Sequence, residues 1–368
     1  MIRCQYVCLW VLTVCVAAGQ GATPSFRGLG HLPGDIQSYA NAVSADGKVV
    51  VGSSTNYPAN TSQAFRWTEA TGMVGLGDLP GGIFGSAAKG VSADGSVVVG
   101  RGAPASWYQA FRWTEAGGMV GLGYLAGGSY PESVATGVSA DGSVVVGSST
   151  SSPGSEPFLW NSTAGMVGLG GFESRYYGGA NAVTPDGALV VGTCNHGQVD
   201  AYRWTKAGGM VAIGGSNSWG TAVSRDGSVV VGSTSSGHQA YRWTAAGGMV
   251  GLGDLAGGSF ESQAFGVSGD GEIVVGYGSV DSGALAIIWD LQHGMRELKT
   301  VLTTECGLDL TGWRLGFATG ISDDGRVIVG YGSGPQGGTE AWMAVIPEPT
   351  TLSLLALGGL AVIRRRRR

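Results

Sequence analysis

Between residues 23 and 346 the apolar positions fall in short runs, each closed off by Gly, Asp, Pro or Ser. One stretch shows the pattern: Met73–Leu76, Ser86–Ser92, Ser96–Gly100 and Gln109–Thr114 are four brief runs rich in Val, Phe and Trp. No window of about twelve residues here carries a 3.6-residue apolar period, whereas short β-branched and aromatic runs suit pleated, partly buried strands. Asp94-Gly95 stands between the second and third runs. Glycine tolerates positive φ and Asp can bond its own backbone, so the pair predicts a two-residue hairpin turn.

The pattern recurs. SADGSVVVG occupies residues 92–100 and again 139–147. The Asp-Gly corner falls at Asp46, Asp94, Asp141, Asp186, Asp226, Asp270 and Asp324, at spacings of 48, 47, 45, 40, 44 and 54 residues. A strand ending in Trp gives a second marker at Trp67, Trp113, Trp160, Trp204, Trp243, Trp289 and Trp342. A Gly-Leu-Gly stretch gives a third; it weakens at Ala212–Gly214 and is replaced in the last unit by Arg296-Glu297-Leu298. Seven units of four short strands predict an all-β fold, a seven-bladed β-propeller of four-stranded blades. The alternative is an open β-repeat array, but a linear stack should carry polar terminal caps, and none is visible. The ends complement each other instead. The last unit stops after Ala341–Val345 with no Gly-Gly-Met-Val strand to follow, and the first opens on Ser25–Leu29 with no Trp strand before it. Pairing the two would close the ring and remove its free sheet edges.

Both ends of the chain read as processing segments. Residues 1–22 combine Arg3, an apolar stretch from about Tyr6 to Ala18 and small residues beyond it, the layout of a signal peptide cut by signal peptidase. Residues 347–368 run Pro347-Glu348-Pro349, two threonines, a mostly apolar stretch Leu352–Ile363 and five arginines. As a helix that stretch spans about 18 Å against a hydrocarbon core of roughly 30 Å, so it is a short transmembrane stretch that needs its flanking threonines and snorkelling arginines. The arginine tail favours the cytoplasmic side, which leaves residues 23–346 outside it. This end resembles the PEP-CTERM sorting signal of Gram-negative-type bacteria. The resemblance implies export, transient inner-membrane anchoring, and recognition of Pro347, Glu348 and Pro349 by an exosortase-type processing enzyme. It also implies delivery to the cell surface or an extracellular matrix.

Composition narrows the partners. Six of the 21 basic residues (Arg3 and Arg364–Arg368) lie in these ends, which leaves 15 against about 26 acidic ones in the body. An acidic body argues against a nucleic-acid partner. Glycine makes up 69 of 368 residues, but it falls at fixed places between valines and tryptophans, so it is not a flexible linker. Three of the five cysteines lie in the leader, and Cys194 and Cys306 sit at unrelated repeat positions.

Candidate chemistry is sparse. Calcium needs six to eight oxygens in one place, more than one Asp per turn supplies, and no EF-hand-like spacing occurs. No metal site, cofactor or catalytic set is therefore predicted. The repeated Trp residues are expected in the packing between blades. Aromatics that break the repeat are better ligand contacts: Trp107, Tyr108, Trp219 and Trp313, with Tyr130, Tyr176 and Tyr177 beside them, all read as lying in variable loops. Glu132, Glu173 and Glu261 precede second strands and could assemble a glycosidase-like carboxylate pair. His31, His196, His238 and His293 are expected to be scattered loop residues.

The body resembles the HAF family of probable extracellular repeats. The matching triplets are Gln63-Ala64-Phe65, Gln109-Ala110-Phe111, Asp200-Ala201-Tyr202 and Gln239-Ala240-Tyr241, each followed by Arg and Trp. Histidine is replaced at every one, and the resemblance implies no activity. The expectation is an exported, non-enzymatic structural or adhesive protein, with extracellular polysaccharide or surface proteins as partners. A lectin-like module and a carbohydrate-active lyase or hydrolase are the alternatives.

Overall fold

The computed structural model describes residues 23–347 apart from 82–84, 105, 153, 173–176, 196, 215, 216, 236 and 237. The signal peptide, Glu348, Pro349, the apolar stretch and the arginine tail lie outside the described residues, as do Glu173, Tyr176 and His196. Among the described residues no helix is long and apolar enough to cross a membrane.

Seven four-stranded antiparallel sheets make up the body. In blade one, Gln37–Val43, Val49–Asn56, Thr61–Thr68 and Gly72–Gly75 pair in that order. The first strands of successive blades touch one another all the way round, so they line the axis, and Arg314–Ile321 of blade seven returns against Gln37–Val43. Ser25–Gly28 pairs antiparallel with Thr339–Val345 and supplies the fourth strand of blade seven, as the complementary ends predict. The phase of the repeat differs from the sequence reading. Gly72–Gly75 bonds to the Trp-bearing strand before it, so the Gly-Met-Val run closes one blade and does not open the next.

Three local expectations are corrected. First, the Asp-Gly corner is a four-residue loop. The Gly47 amide donates to Ser44 O and the Ser44 amide to Val49 O, which makes Ala45 and Asp46 the central residues and Gly47 the left-handed one (φ 74°). Asp46 is not left-handed, and its carboxylate accepts from the Ser44 hydroxyl (2.7 Å) and the Lys48 amide (3.1 Å) across the loop. Second, Trp342 is not the seventh equivalent of Trp67. It pairs with Gly330 as Phe65 pairs with Gly52, and Ala344 takes the Trp position. Phe26 of the closing strand, paired with Ala344, fills the room that this alanine leaves. Third, the link from blade six to blade seven holds a short helical segment, Leu298–Thr300 running into a π-turn at Val301–Glu305. Leu298, Val301 and Leu302 dock it on the core; eight residues are too few for a visible period.

Cores lie between blades. Val49 and Val51 of blade one meet Val98, Phe111, Trp113 and Met119 of blade two, and Leu189, Val191, Val230, Trp243 and Met249 repeat the arrangement further round. The Arg of each Phe/Tyr-Arg-Trp triplet crosses the same boundary: Arg66 Nε donates to Gly95 O, Arg112 Nε to Gly142 O and Arg242 Nε to Gly271 O, all at 3.1 Å. The glycine that ends Val-Val-Val-Gly has a separate cause. Each first strand bulges opposite it (between Ala40 and Ala42 in blade one), and a Cβ on Gly52 would overlap Tyr39 O.

Candidate functional site

Antiparallel connectivity sorts the loops. The Asp-Gly loops and the outer Thr-x-x-Gly turns crowd one face; the second-to-third-strand loops and the links between blades share the other. On the first face the acidic residues are spent on structure. Hydrogen bonds from the Ser143 amide and from the Ser139 and Ser143 hydroxyls hold the Asp141 carboxyl at about 2, and the same set from Ser228 and Ser224 does so for Asp226. Asp323 is half-buried; burial raises its pKa against the opposing pull of Arg225, whose guanidinium lies 3.4 Å away. Asp324 accepts from the Ser322 hydroxyl in its own turn, so the Asp323-Asp324 pair does not converge on one point.

The repeat breaks on the other face. At the bulge of the first strand five blades carry Asn or Thr, and each side chain reaches a carbonyl of the next blade round the ring. Asn41 donates to Ala88 O (2.7 Å), Asn181 to Gly220 O (2.7 Å), Thr221 to Ala264 O (2.7 Å) and Thr319 to Ala40 O (2.8 Å), and Thr136 bonds Ala180 O likewise. Blade two has Lys89 there and blade six Phe265. The position after Val-Val-Val-Gly departs in the same way: Ser53, Ser148, Thr193 and Ser233 are small, whereas Arg101, Tyr277 and Tyr331 are not. Phe265, Tyr277, Phe317, Tyr331 and Tyr39 form a continuous aromatic belt from blade six through seven to one, with neighbouring ring centroids 4.9–5.7 Å apart.

Blade two carries charge where blades six and seven carry rings. Lys89 and Arg101 face a cleft of about 530 Å³ between blades one and two, with Tyr39 and Tyr57 on one wall and Trp107 and Tyr108 on the other. The Arg101 guanidinium lies over the Tyr108 ring at 4.1 Å, and its buried Nε has no partner. Thr55 Oγ1, in the same cleft, is also buried without a partner. Solvent reaches Lys89, yet the walls of the cleft depress its pKa by desolvation and the Arg101 charge depresses it further. No Asp or Glu lines the cleft among the described residues. Such a site offers two hydrogen-bonding cations, hydroxyl and amide groups, and aromatic faces.

The predicted contacts divide accordingly. Trp107 and Tyr108 belong to the cleft, and Trp107, 46% exposed, stacks on Tyr130 of the neighbouring link at 4.8 Å. Trp219 lies in the first strand of blade five, Ser218–Val223, not in a loop, and is 36% exposed. Tyr177 likewise begins a strand. Trp313, half-buried, packs edge-on against Phe26 at 5.0 Å, against the core of blades six and seven. Glu132 and Glu261 sit in the links before blades three and six, on separate blades, and Glu261 accepts from the Tyr277 hydroxyl (2.8 Å). Pro347 lines an apolar notch of about 310 Å³ at blade six, where Arg296 is taken up by Asp290 (2.6 Å) and Glu305 (2.7 Å). His293 donates its amide and offers Nδ1 to the same Asp290. Cys194 and Cys306 are both free, and burial raises both thiols. Lys89 and Arg101 escaped the sequence reading; aligning the seven bulge positions and the seven residues after Val-Val-Val-Gly isolates them.

The comparisons with known proteins fit this division of scaffold and tail. Residues 345–368 match the PEP-CTERM protein-sorting motif, which marks an exported chain processed at its C-terminus by an exosortase-type enzyme. No curated protein sequence matches. Among solved structures, an oligogalacturonate lyase from Vibrio parahaemolyticus is 12% identical with a TM-score of 0.54, covering 90% of this chain and 99% of its own. The β-propeller domain of the Trilobed protease from Pyrococcus furiosus, described as having an open velcro topology, is 11% identical with a TM-score of 0.54, covering 85% and 94%. At such identities the likeness is one of fold. The chain is an exported seven-bladed β-propeller bearing a C-terminal sorting motif.

Proposed function

We propose that this protein is a non-enzymatic glycan-binding protein of the cell surface or extracellular matrix, and that the cleft between blades one and two is its binding site. One observation carries the reading: Trp107, Tyr108, Tyr39 and Tyr57 wall a polar cavity of about 530 Å³ on the face where the loops vary. Aromatic faces stack on the apolar faces of sugar rings, while neighbouring hydroxyls and amides (Ser53, Asn56, Asn60) suit sugar hydroxyls. The repeat frame, with its resemblance to HAF repeats, supplies the rigid ring that holds these loops. The oligogalacturonate lyase of similar fold acts on a saccharide, which supports a glycan ligand and leaves chemistry to be tested separately.

The test is a glycan array with the full chain and Trp107→Ala. Specific binding that falls about tenfold or more in Trp107→Ala, with unchanged melting temperature, supports the reading. Binding to no glycan sinks it. Accumulation of shortened oligosaccharides on incubation with the bound polymer would replace it with the lyase or hydrolase reading.

A further inference from the structure

Building on the reading of the cleft as a glycan site, we propose that its ligand is an acidic saccharide, with a carboxylate or sulfate held between Lys89 and Arg101. Three observations converge on an anion. The two cations share a cleft that no carboxylate lines among the described residues, within a chain whose acidic residues outnumber its basic ones, 26 to 21. Neither is engaged by a carboxylate among the described residues. The Arg101 guanidinium lies over the Tyr108 ring at 4.1 Å, a contact that holds its charge in the cleft, and a guanidinium suits carboxylate and sulfate groups through paired N–H donors.

The second strand of reasoning comes from the repeat. Asn and Thr at the bulge tie neighbouring blades together in five places, and Lys89 forgoes that tie. Arg101 stands where four blades have Ser or Thr. Both departures occur in blade two and both place positive charge in one cavity. Two like charges held together are a standing electrostatic cost that an anion relieves. Trp107, 46% exposed beside them, gives the sugar ring a surface to lie on.

The experiment measures binding of the full chain to three sets of polymers: carboxylated (polygalacturonate, alginate), sulfated (dextran sulfate) and neutral (dextran, xylan). The expected result is preference for an acidic set, weakening at least tenfold between 50 and 300 mM salt. Lys89→Met and Arg101→Met should each lower acidic binding at least tenfold, and Arg101→Lys should restore only part of it. Preference between the first two sets identifies the acidic group. Equal binding of neutral and acidic polymers, or acidic binding that both Met variants retain, overturns the proposal while leaving the glycan reading in place. Failure to bind any polymer overturns both. Should a Met variant not fold, the salt dependence of the wild-type chain decides.

Discussion

Single residues in this protein earn their place mainly through backbone geometry. Gly147, paired across the first-strand bulge of blade three, leaves no room for a Cβ beside Val134 O, whereas Gly165 has left-handed φ (69°) and open space around it. Gly147→Ala should therefore cost about 3 kcal/mol by overpacking, and Gly165→Ala about 1 kcal/mol for the left-handed conformation alone. Paired denaturant titrations check the order; equal losses would refute the steric account. The turn carboxylates make a pH prediction. Asp141 and Asp226 are held at about 2, below their ordinary 3.8, by hydrogen bonds to the ionised form. Their stabilising contribution is complete above the unfolded value and fades as pH falls toward the folded one. Melting temperature should thus decline between about pH 4.5 and 2, and Asp141→Asn with Asp226→Asn should make that decline shallower. Both groups are exposed, so salt and solvent screening keep the change small.

At the level of elements, the innermost strands do two jobs. Their bulges carry the side chains that stitch blade to blade, and their departures from that role coincide with the cleft. Lys89→Thr should restore the missing tie by donating to Ala135 O, as Thr136 does to Ala180 O one blade on. The expected gain is about 1 kcal/mol, typical of an intramolecular hydrogen bond, together with loss of acidic-glycan binding. A thermal melt and a binding curve on the same sample test the trade; a destabilised variant would show that Lys89 is structural. The strand pattern was legible from the chain because alternation and turn chemistry are local. Trp219 was misplaced because a Ser-Trp-Gly run carries too little apolar pattern to be told from a loop. Trp313 read as a free aromatic because its partner, Phe26, lies at the opposite end of the sequence.

The whole molecule is held by a short closing strand. Ser25–Gly28 contributes one of the four strands of blade seven, and Phe26 fills the space beside Ala344. Removing residues 23–28 should expose the Thr339–Val345 edge and open the core of blades six and seven. Size-exclusion chromatography is expected to show self-association, and the melting temperature to drop by several degrees or more. A monomer of unchanged stability would mean that the ring does not depend on this closure. The same closure brings the chain out at Ile346, buried and bonded to Arg326 O, immediately before the Pro-Glu-Pro motif. The sorting-motif match, residues 345–368, therefore starts at the last residue of the final strand.

The sequence by itself determined the number of blades, the places of their strands and Asp-Gly corners (though not the four-residue form of those corners), the complementary ends and the sorting motif. The repeated features rest on contacts between residues near in the chain and on a pattern seen seven times, and the two ends are legible because each departs from that pattern. Only the tertiary structure decided which side chains share a cavity. Lys89, Arg101 and Trp107 read along the chain as two scattered charges and a loop aromatic, and packing blade two against Tyr39 and Tyr57 of blade one is what makes a single cavity of them. The space between two sheets belongs to neither sequence segment alone, because it is set by the angle and distance at which their cores pack.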